Sequence, residues 1–508
     1  MLEDGWGRSL LLGALLLLVG AASLLVSIAA GERPQPSLRG EDHPLNAGAG
    51  DPGDISAHNS PSLARNPAMP ANLAAATRID TPRYSCALHV SFDGGAHWSP
   101  ARVPIPRGEE PKCYAPDVVF AADGTLYMSF VTLRGRGNVP HAAWIVHSKD
   151  GGRTLSQPRR VLGPLAFQVR LTADPVNARQ LYLTWLQASE VALFKFTGPG
   201  NPIRFARSDD GGSSWQRSVR VSAPARARVV APTPAAGPKG EIYVLYLDLG
   251  QDRLDYEGAH EGLGGRPYPG RFELVLARSL DGGASWQESV VERRLRPIER
   301  FVVFLPAFPS LAVDPRDGSL YAAFHTLRHG APDVVVWSLP AGGSRWQGPV
   351  RVNDNPARDR TAQYLPKLAL APNGRLDVVY YDRRSDARNI MNEVSLQSSY
   401  DGGESFTKRT QLTRRPVDSR IGFGSERELP DLGSRLALEA EDARALAVWT
   451  DTRNGTVLSN KQDVYAAEVT FDTRLSEPLE YGLRYGGLGV GLAGLALLAS
   501  AAWRSALG

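Results

Sequence analysis

The sequence predicts an all-β fold, a seven-bladed β-propeller of four-stranded antiparallel blades with flanking transmembrane helices. One observation is a turn motif, Ser-x-Asp-Gly-Gly, that recurs at intervals of 57 to 71 residues, a period typical of propellers and other repeat arrays. Another is the pair of short apolar segments before each copy, which resembles the strand pattern of a blade. The six copies, one of them degenerate, begin at Ser91, Ser148, Ser208, Ser279, Ser338 and Ser399.

The turn motif is the Asp box, and each of its residues has a structural task. The aspartate accepts hydrogen bonds from turn amides, the glycines supply positive φ, and a terminal aromatic residue packs the turn onto its own blade. The degenerate copy at Ser338 has Pro340 in the aspartate position. The aspartates predicted to be structural are Asp93, Asp150, Asp210, Asp281 and Asp401.

Two apolar segments per repeat predict the first two strands of each blade. The first segments begin at Pro61, Pro116, Val169, Pro232, Pro309, Pro366 and Pro430. The second segments cover 73–77, 126–131, 181–186, 242–247, 320–325, 376–381 and 446–450. With a third strand leading into each box, residues 57–475 divide into seven units of roughly 60 residues.

The seventh unit lacks both an Asp box and an obvious fourth strand. Its third strand is predicted at 464–469. Either residues 40–56 or residues 473–479 would supply the missing strand. A six-bladed ring, in which the first and last repeats pair across the closure, is the alternative. A β-sandwich does not explain a motif that recurs at constant phase.

Both ends of the chain carry long uncharged segments. Ser9 to Ala30 contains 22 such residues and Tyr485 to Trp503 contains 19, and lengths near 20 predict membrane-spanning helices. For the first segment, a cleaved signal peptide is the alternative. The predicted organisation is a cytoplasmic N-terminus at 1–8, a transmembrane helix or signal anchor at 9–30, a tether at 31–56, a propeller at 57–475, a linker at 476–484, a transmembrane helix at 485–503 and a C-terminal tail at 504–508.

The flanking charges indicate an orientation. Arg8 and Arg504 lie just outside the two segments, and cationic residues favour the cytoplasmic side. We therefore expect both termini in the cytoplasm and the propeller on the periplasmic or extracellular side. Gly487 and Gly491 are spaced to let two helices approach closely. A membrane protein, a cell-surface partner or a glycan is the expected partner.

Composition excludes several other classes. The net charge is +4 over 508 residues, without a concentrated basic stripe, so nucleic acid is not an expected partner. The nine histidines form no metal-binding motif, and the Gly-Gly pairs belong to the Asp boxes. We therefore predict no metal and no cofactor.

The direction of the strands predicts where the two cysteines, Cys86 and Cys113, lie in the propeller. If the boxes join third and fourth strands at one end of the propeller, the box face, then third and first strands both begin at the opposite face. Cys86 begins a third strand and Cys113 precedes the next first strand. A disulfide between blades one and two is therefore expected in an oxidising compartment, and two buried thiols are the alternative.

The boxes and their spacing resemble the sialidase superfamily, and the resemblance covers residues 57–475. It implies an active site on the opposite face, with three arginines that clamp a substrate carboxylate, a tyrosine nucleophile paired with a glutamate, and an aspartate as acid-base catalyst. The family's Phe/Tyr-Arg-Ile/Leu-Pro motif is missing, because the corresponding stretch runs from Arg78 to Tyr84 as Arg-Ile-Asp-Thr-Pro-Arg-Tyr. This departure counts against a true sialidase.

Candidate catalytic residues nevertheless occur in loops predicted at the opposite face. For Arg383 and Arg453, which follow second strands, a salt-bridged loop brace is the plainer interpretation. The candidates are Arg83, Arg383, Arg453, Tyr256, Glu257, Glu261 and Asp252.

Three functions fit these patterns. The first is a membrane-anchored, extracytoplasmic propeller that acts as a non-catalytic binding or scaffold module, for example as an accessory or assembly subunit of a membrane protein complex. The second is a cell-surface exo-sialidase-like glycoside hydrolase. The third is a lectin-like receptor. Asp-box propellers include proteins of all three kinds, so the fold does not decide between these functions. Three convergent arginines in one pocket would favour the hydrolase.

Overall fold

Seven antiparallel sheets follow one another along the chain, and each supplies one blade of a seven-bladed β-propeller. Six blades contain four consecutive strands, and the sixth has a short additional strand, Val417–Asp418. The computed structural model describes residues 11–23, 36–46, 53–190, 199–252, 268–298, 307–356, 359–422, 432–471 and 477–506.

The strands of the seven blades fall into four concentric layers. The innermost strands are His58–Arg65, Cys113–Phe120, Ala166–Ala173, Val229–Ala236, Ser310–Val313, Gln363–Leu370 and Ala437–Ala440. The second strands are Leu73–Ile79, Leu126–Arg134, Leu181–Gln187, Ile242–Asp248, Leu320–Thr326, Leu376–Asp382 and Arg444–Asp451. The third strands are Ser85–Ser91, Val139–Ser148, Ile203–Ser208, Phe272–Ser279, Asp333–Leu339, Met391–Ser399 and Asp463–Thr470. The fourth strands are Ser99–Ala101, Arg159–Leu162, Val219–Arg220, Gln287–Leu295, Gln347–Arg351, Thr410–Gln411 and Ser37–Pro44.

The blade number follows from contacts between the innermost strands. Each innermost strand contacts that of the next blade, and the seventh contacts the first. Apolar clusters fill the space between neighbouring blades, as in the cluster of Ile145, Leu181 and Trp185. Seven blades are therefore correct, and the six-bladed alternative is wrong.

Blade seven closes the ring with a strand from the N-terminal side of the propeller. Ser37–Pro44 pairs antiparallel with Asp463–Thr470, so that Ser37 lies opposite Thr470. The closing strand overlaps the first of the two predicted segments, and it occupies part of the stretch expected as a tether. The innermost strand of this blade begins at Ala437, whereas the sequence pattern had placed its start at Pro430, which lies outside the described residues.

A bulge interrupts the innermost strands near their first residues. Ser60, Ala115 and Gln168 have φ near +50°, as do Ala231 and Leu365, and the pairing register shifts at each of these positions. A proline follows the bulge in four of these five blades. Proline lacks an N–H, so a bulge is one of the few strand positions that accept it. The bulge explains why these predicted segments so often began with proline.

The Asp-box turns share one hydrogen-bond pattern. In the third blade, Asp210 Oδ1 accepts from Ser208 Oγ at 2.9 Å and from Ser214 N at 2.8 Å, and Gly212 N donates to Ser208 Oγ at 2.9 Å. Bonds from the Ser214 side chain and backbone and from Ser208 lower the pKa of Asp210 to about 2. Equivalent bonds occur at Asp93, Asp150, Asp281 and Asp401.

The aromatic residue of the box contacts the preceding blade as well as its own. Trp286 of the fourth blade meets Phe205 of the third blade edge to face, with ring centroids 5.2 Å apart. A Cβ on Gly283 would lie 2.1 Å from the Phe205 ring. The box aromatic, which was expected to pack onto its own blade, therefore also fills the interface with the preceding blade.

Cys86 and Cys113 form a disulfide with Cα atoms 5.4 Å apart. Cys86 lies at the start of the third strand of blade one, and Cys113 is the first residue of the innermost strand of blade two. The bond therefore joins two neighbouring blades at the opposite face.

Residues 11–23 and Glu477–Ala506 are helical, and they belong to a unit distinct from Ser37–Thr470. Gly20 approaches Gly491 so closely that a Cβ on Gly20 would lie 2.7 Å from the Gly491 Cα, and Gly13 packs beneath Leu498. Small residues allow such close helix contacts. Within the described residues, none of the helices meets the length and hydropathy expected of a bilayer-spanning segment.

Candidate functional site

The predicted catalytic residues that the structure describes belong to four different blades. Arg83 is exposed in the turn between the second and third strands of blade one. Asp252 is buried just beyond the second strand of blade four. Tyr256, Glu257 and Glu261 lie outside the described residues.

Arg383 is a buried brace within blade six. Its side chain donates to Asn392 Oδ1 at 2.8 Å and to Ser419 Oγ at 2.7 Å, and it also donates to the carbonyl of Asn389. The guanidinium lies over the Tyr364 ring, 5.2 Å from its centroid. Only 2% of the residue is exposed, so its hydrogen bonds serve the fold.

Arg453 has a similar role at the ring closure. It donates to Asp451 Oδ1 at 2.9 Å and Oδ2 at 2.7 Å. It also forms two hydrogen bonds with Asp42, which lies in the closing strand, and it packs 4.1 Å over the Tyr465 ring. Arg453 therefore ties the N-terminal strand to blade seven. Both arginines fit the loop-brace interpretation.

A ring of polar side chains surrounds the propeller axis, and each blade contributes one member. The members from blades one to four and six lie two residues after the bulge of the innermost strand, and Ser310 holds the same register in blade five. Arg435 reaches the cavity from just before the innermost strand of blade seven. Together they line a cavity of about 180 Å³. This axial ring consists of Ser62, Asp117, Arg170, Thr233, Ser310, Lys367 and Arg435.

Several ring members bond to a neighbouring blade. Ser62 Oγ donates to Asp117 Oδ1 at 2.5 Å, and Thr233 Oγ1 donates to the Pro309 carbonyl at 2.8 Å. Arg435 reaches two blades, donating to the carbonyls of Pro61 at 3.1 Å and Pro116 at 2.6 Å. These bonds help to fix the spacing of the innermost strands.

The axial ring carries an excess of positive charge. Within the described part of the chain, Arg170, Lys367 and Arg435 line the cavity with a single carboxylate, Asp117. Burial lowers the pKa of Lys367 to about 8, and the positive charge of Arg170 adds to this effect. Burial also lowers the pKa of Arg435, and the positive charge of Arg170 again adds to this effect. The cavity is therefore a cationic environment at neutral pH.

Phe308 separates the axial cavity from a smaller one at the opposite face. It lines both the 180 Å³ cavity and a second cavity of about 20 Å³. Arg170 and Arg435 lie over its ring at 5.3 and 6.0 Å from the centroid. The smaller cavity also contacts Arg78 and Tyr114.

Arg78 is a buried partner of Asp80 at this end of the axis. The guanidinium Nε lies 2.7 Å from Asp80 Oδ1, and Nη2 donates to Oδ2 at 2.8 Å. Asn59 donates to the same carboxylate at 2.8 Å. Arg78 and Arg435 thus line one small cavity, but its volume of about 20 Å³ holds little more than one water molecule.

A second charged cluster lies at the opposite face of blade four. Arg226 donates to Asp248 and Glu273 through Nη1 and to Glu288 through Nε, each at 2.8 Å. Tyr246 donates a short hydrogen bond to Glu288. Burial and this bond raise the pKa of Tyr246. A tyrosine–glutamate pair therefore exists, but Tyr246 is fully buried, which leaves its hydroxyl out of reach of a substrate.

Sequence reasoning missed the axial ring, although a signal was present. Ser62, Asp117 and Lys367 each follow a proline and interrupt an apolar strand. A polar residue in the innermost strand has to face the axis or a partner. The polar residue that follows the proline of a predicted first strand was therefore a signal for much of the ring.

Comparison with known proteins gives structural likeness only. No family model matches the chain, and no curated protein matches it. A protein of unknown function from Dyadobacter fermentans is 13% identical, with a TM-score of 0.48 over 87% of this chain and 100% of that one.

Two carbohydrate-active proteins are also similar in structure. An ulvan lyase from a new polysaccharide lyase family is 12% identical, with a TM-score of 0.47 over 84% of this chain and 98% of that one. The sialidase NanB from Streptococcus pneumoniae is 10% identical, with a TM-score of 0.43 over 70% of this chain and 68% of that one. At such identities the likeness concerns architecture and assigns no activity.

Proposed function

We propose that this chain is a membrane-anchored, extracytoplasmic propeller that binds a partner without catalysing a reaction on it. The observation that carries the proposal concerns the hydrogen bonds of Arg383 and Arg453. Both guanidinium groups are occupied by partners within the fold. An arginine that clamps a substrate carboxylate needs donors directed into an open pocket.

The recognition surface in this proposal is the opposite face. Arg83 is exposed there, and the charged cluster around Arg226 lies at the same face of blade four. Loops on a rigid scaffold commonly carry recognition. A membrane protein, a cell-surface partner or a glycan is the proposed partner, and an accessory or assembly role in a membrane complex is the proposed context.

Two exposed arginines allow a matched test of this surface. Arg83 lies at the opposite face, and Arg179 is exposed at the box face, between the first two strands of blade three. Full-length protein is purified from gently solubilised membranes, and the co-purifying proteins and glycans are compared quantitatively. We expect Arg83→Glu to lose a specific partner that Arg179→Glu retains. Equal retention by both variants would contradict recognition through the opposite face.

Catalysis is tested separately with a fluorogenic sialoside. We expect no release of sialic acid by the full-length protein. Arg383→Lys should lower the melting temperature because it removes buried hydrogen bonds. Turnover by the parent, abolished in Arg383→Lys at an unchanged melting temperature, would instead establish the hydrolase alternative.

A further inference from the structure

We propose that the axial cavity is a binding site for a small oxyanion, namely a phosphate, sulfate or carboxylate group. The site lies inside the propeller, where the axial ring surrounds about 180 Å³. The site is separate from the surface in the proposed function, and the two proposals are tested independently.

The first argument is charge. Among the lining residues that the structure describes, Asp117 is the one carboxylate beside Arg170, Lys367 and Arg435. Glu439, which does not line the cavity, also attracts Lys367. Buried charges in proteins are normally paired, because an uncompensated charge in a low-dielectric interior is costly. A bound oxyanion would compensate part of the excess positive charge.

The second argument is the incomplete bonding of Arg170. Its Nε lies 3.1 Å from Asp117 Oδ2, but its Nη1 is buried without a hydrogen-bond partner among the described residues. Asp117 already accepts from Ser62 Oγ and from the Leu171 amide. Arg170 therefore retains a donor that Asp117 does not satisfy, and a guanidinium is well suited to an oxyanion.

The third argument is the placement of Lys367. It forms no hydrogen bond or ion pair within the described part of the chain, and it lines the cavity. In a seven-membered ring, blades six and seven lie opposite blade three. Lys367 and Arg435 therefore approach the cavity from the side opposite Arg170, so an anion between them would contact cations on both sides.

The walls also offer a hydroxyl donor and enough room. Ser310 Oγ accepts a hydrogen bond from the Leu368 amide at 3.0 Å, which leaves its own proton available. A water molecule occupies about 30 Å³ in the liquid. The cavity therefore has space for a tetrahedral oxyanion with several waters.

The test measures binding of defined anions to the full-length protein. Titration calorimetry and thermal unfolding are performed with inorganic sulfate, inorganic phosphate and glucuronate, in chloride buffer at constant ionic strength. The three arms distinguish an inorganic anion from a sugar carboxylate. We expect at least one of them to bind saturably, with a melting temperature that rises with the logarithm of its concentration.

Two lysine variants provide the control. Lys367→Gln removes a cavity charge, and Lys239→Gln makes the same change at an exposed turn. We expect affinity to fall at least tenfold in Lys367→Gln and to stay within twofold in Lys239→Gln. Sulfate stabilises many proteins without specific binding, so equal anion responses in both variants would overturn the proposal. Absence of saturable binding in all three arms would also overturn it.

Discussion

Replacing Lys367 by methionine should stabilise the anion-free propeller at neutral pH. Methionine has a similar length and no charge to bury, and uncharged replacements of poorly compensated buried charges are often stabilising. Burial lowers the pKa of Lys367 from 10.5 to about 8. At about 1.4 kcal/mol per pKa unit, this difference corresponds to a folding cost of about 3 to 4 kcal/mol for the charged form.

The folding cost of the charged Lys367 side chain depends on pH. The groups that act on Lys367 are Arg170 and Arg435, which lower its pKa, and Glu439 and Asp117, which raise it. Because the folded pKa lies below the unfolded value, the cost is complete below pH 8. It disappears as the pH rises toward 10.5, where lysine is neutral in both states. The advantage of the methionine variant should therefore shrink across that interval.

Glu439 reduces the expected gain. Burial raises the pKa of its carboxyl to about 7, while Arg65 and Lys367 act in the opposite direction. Removing Lys367 leaves Arg65 as the nearby cation. We therefore expect a net stabilisation of about 1 to 3 kcal/mol for Lys367→Met at pH 7.

Urea unfolding in chloride buffer, at intervals from pH 7 to 10.5, measures this difference. Lys239→Met, a surface control, should change the unfolding free energy by less than about 0.5 kcal/mol. A Lys367→Met variant that is less stable than the parent at pH 7, with a difference independent of pH, would refute the reasoning. A saturating cavity anion should narrow the gap, because it stabilises only the protein that retains the lysine.

Two further predictions concern the Asp boxes. Gly283→Ala should lower stability more than Gly212→Ala, because the new Cβ would lie 2.1 Å from Phe205, whereas at Gly212 its nearest contact is 3.4 Å away; equal melting temperatures would exclude this packing. Asp210→Ala should cost about 1 to 2 kcal/mol, while Pro340→Ala in the degenerate box should cost little. Chemical denaturation measures both, and equal losses would contradict the role of the aspartate in fixing the turn.

The fold was accessible from the sequence because its information is local and repeated. Each Asp box fixes a turn through a serine, an aspartate and two glycines, so one copy can be recognised without knowledge of the rest. The second strands were predicted to within a few residues, as for 376–381 against Leu376–Asp382. The closing strand was harder to place, because Ser37–Pro44 pairs with residues more than 400 positions away.

The site was much less accessible, because it depends on which side chains meet. Arg383 and Arg453 look alike in sequence to arginines that bind substrate, and their partners Asn392 and Asp42 are visible only in three dimensions. Conversely, Arg170 and Lys367 belong to different blades, and nothing local connects them. Their common position relative to the bulge becomes apparent once the register of every innermost strand is known.

The closing strand also sets an order of assembly. Ser37–Pro44 is synthesised before every blade, but its partner Asp463–Thr470 is synthesised after all the others. Bringing together two segments this far apart is entropically expensive while the intervening chain is unfolded. The N-terminal strand therefore has no partner until the last blade has been synthesised, and folding of the intervening blades would shorten the distance between the two segments. Non-local pairing of this kind slows folding and leaves a strand edge exposed in the meantime.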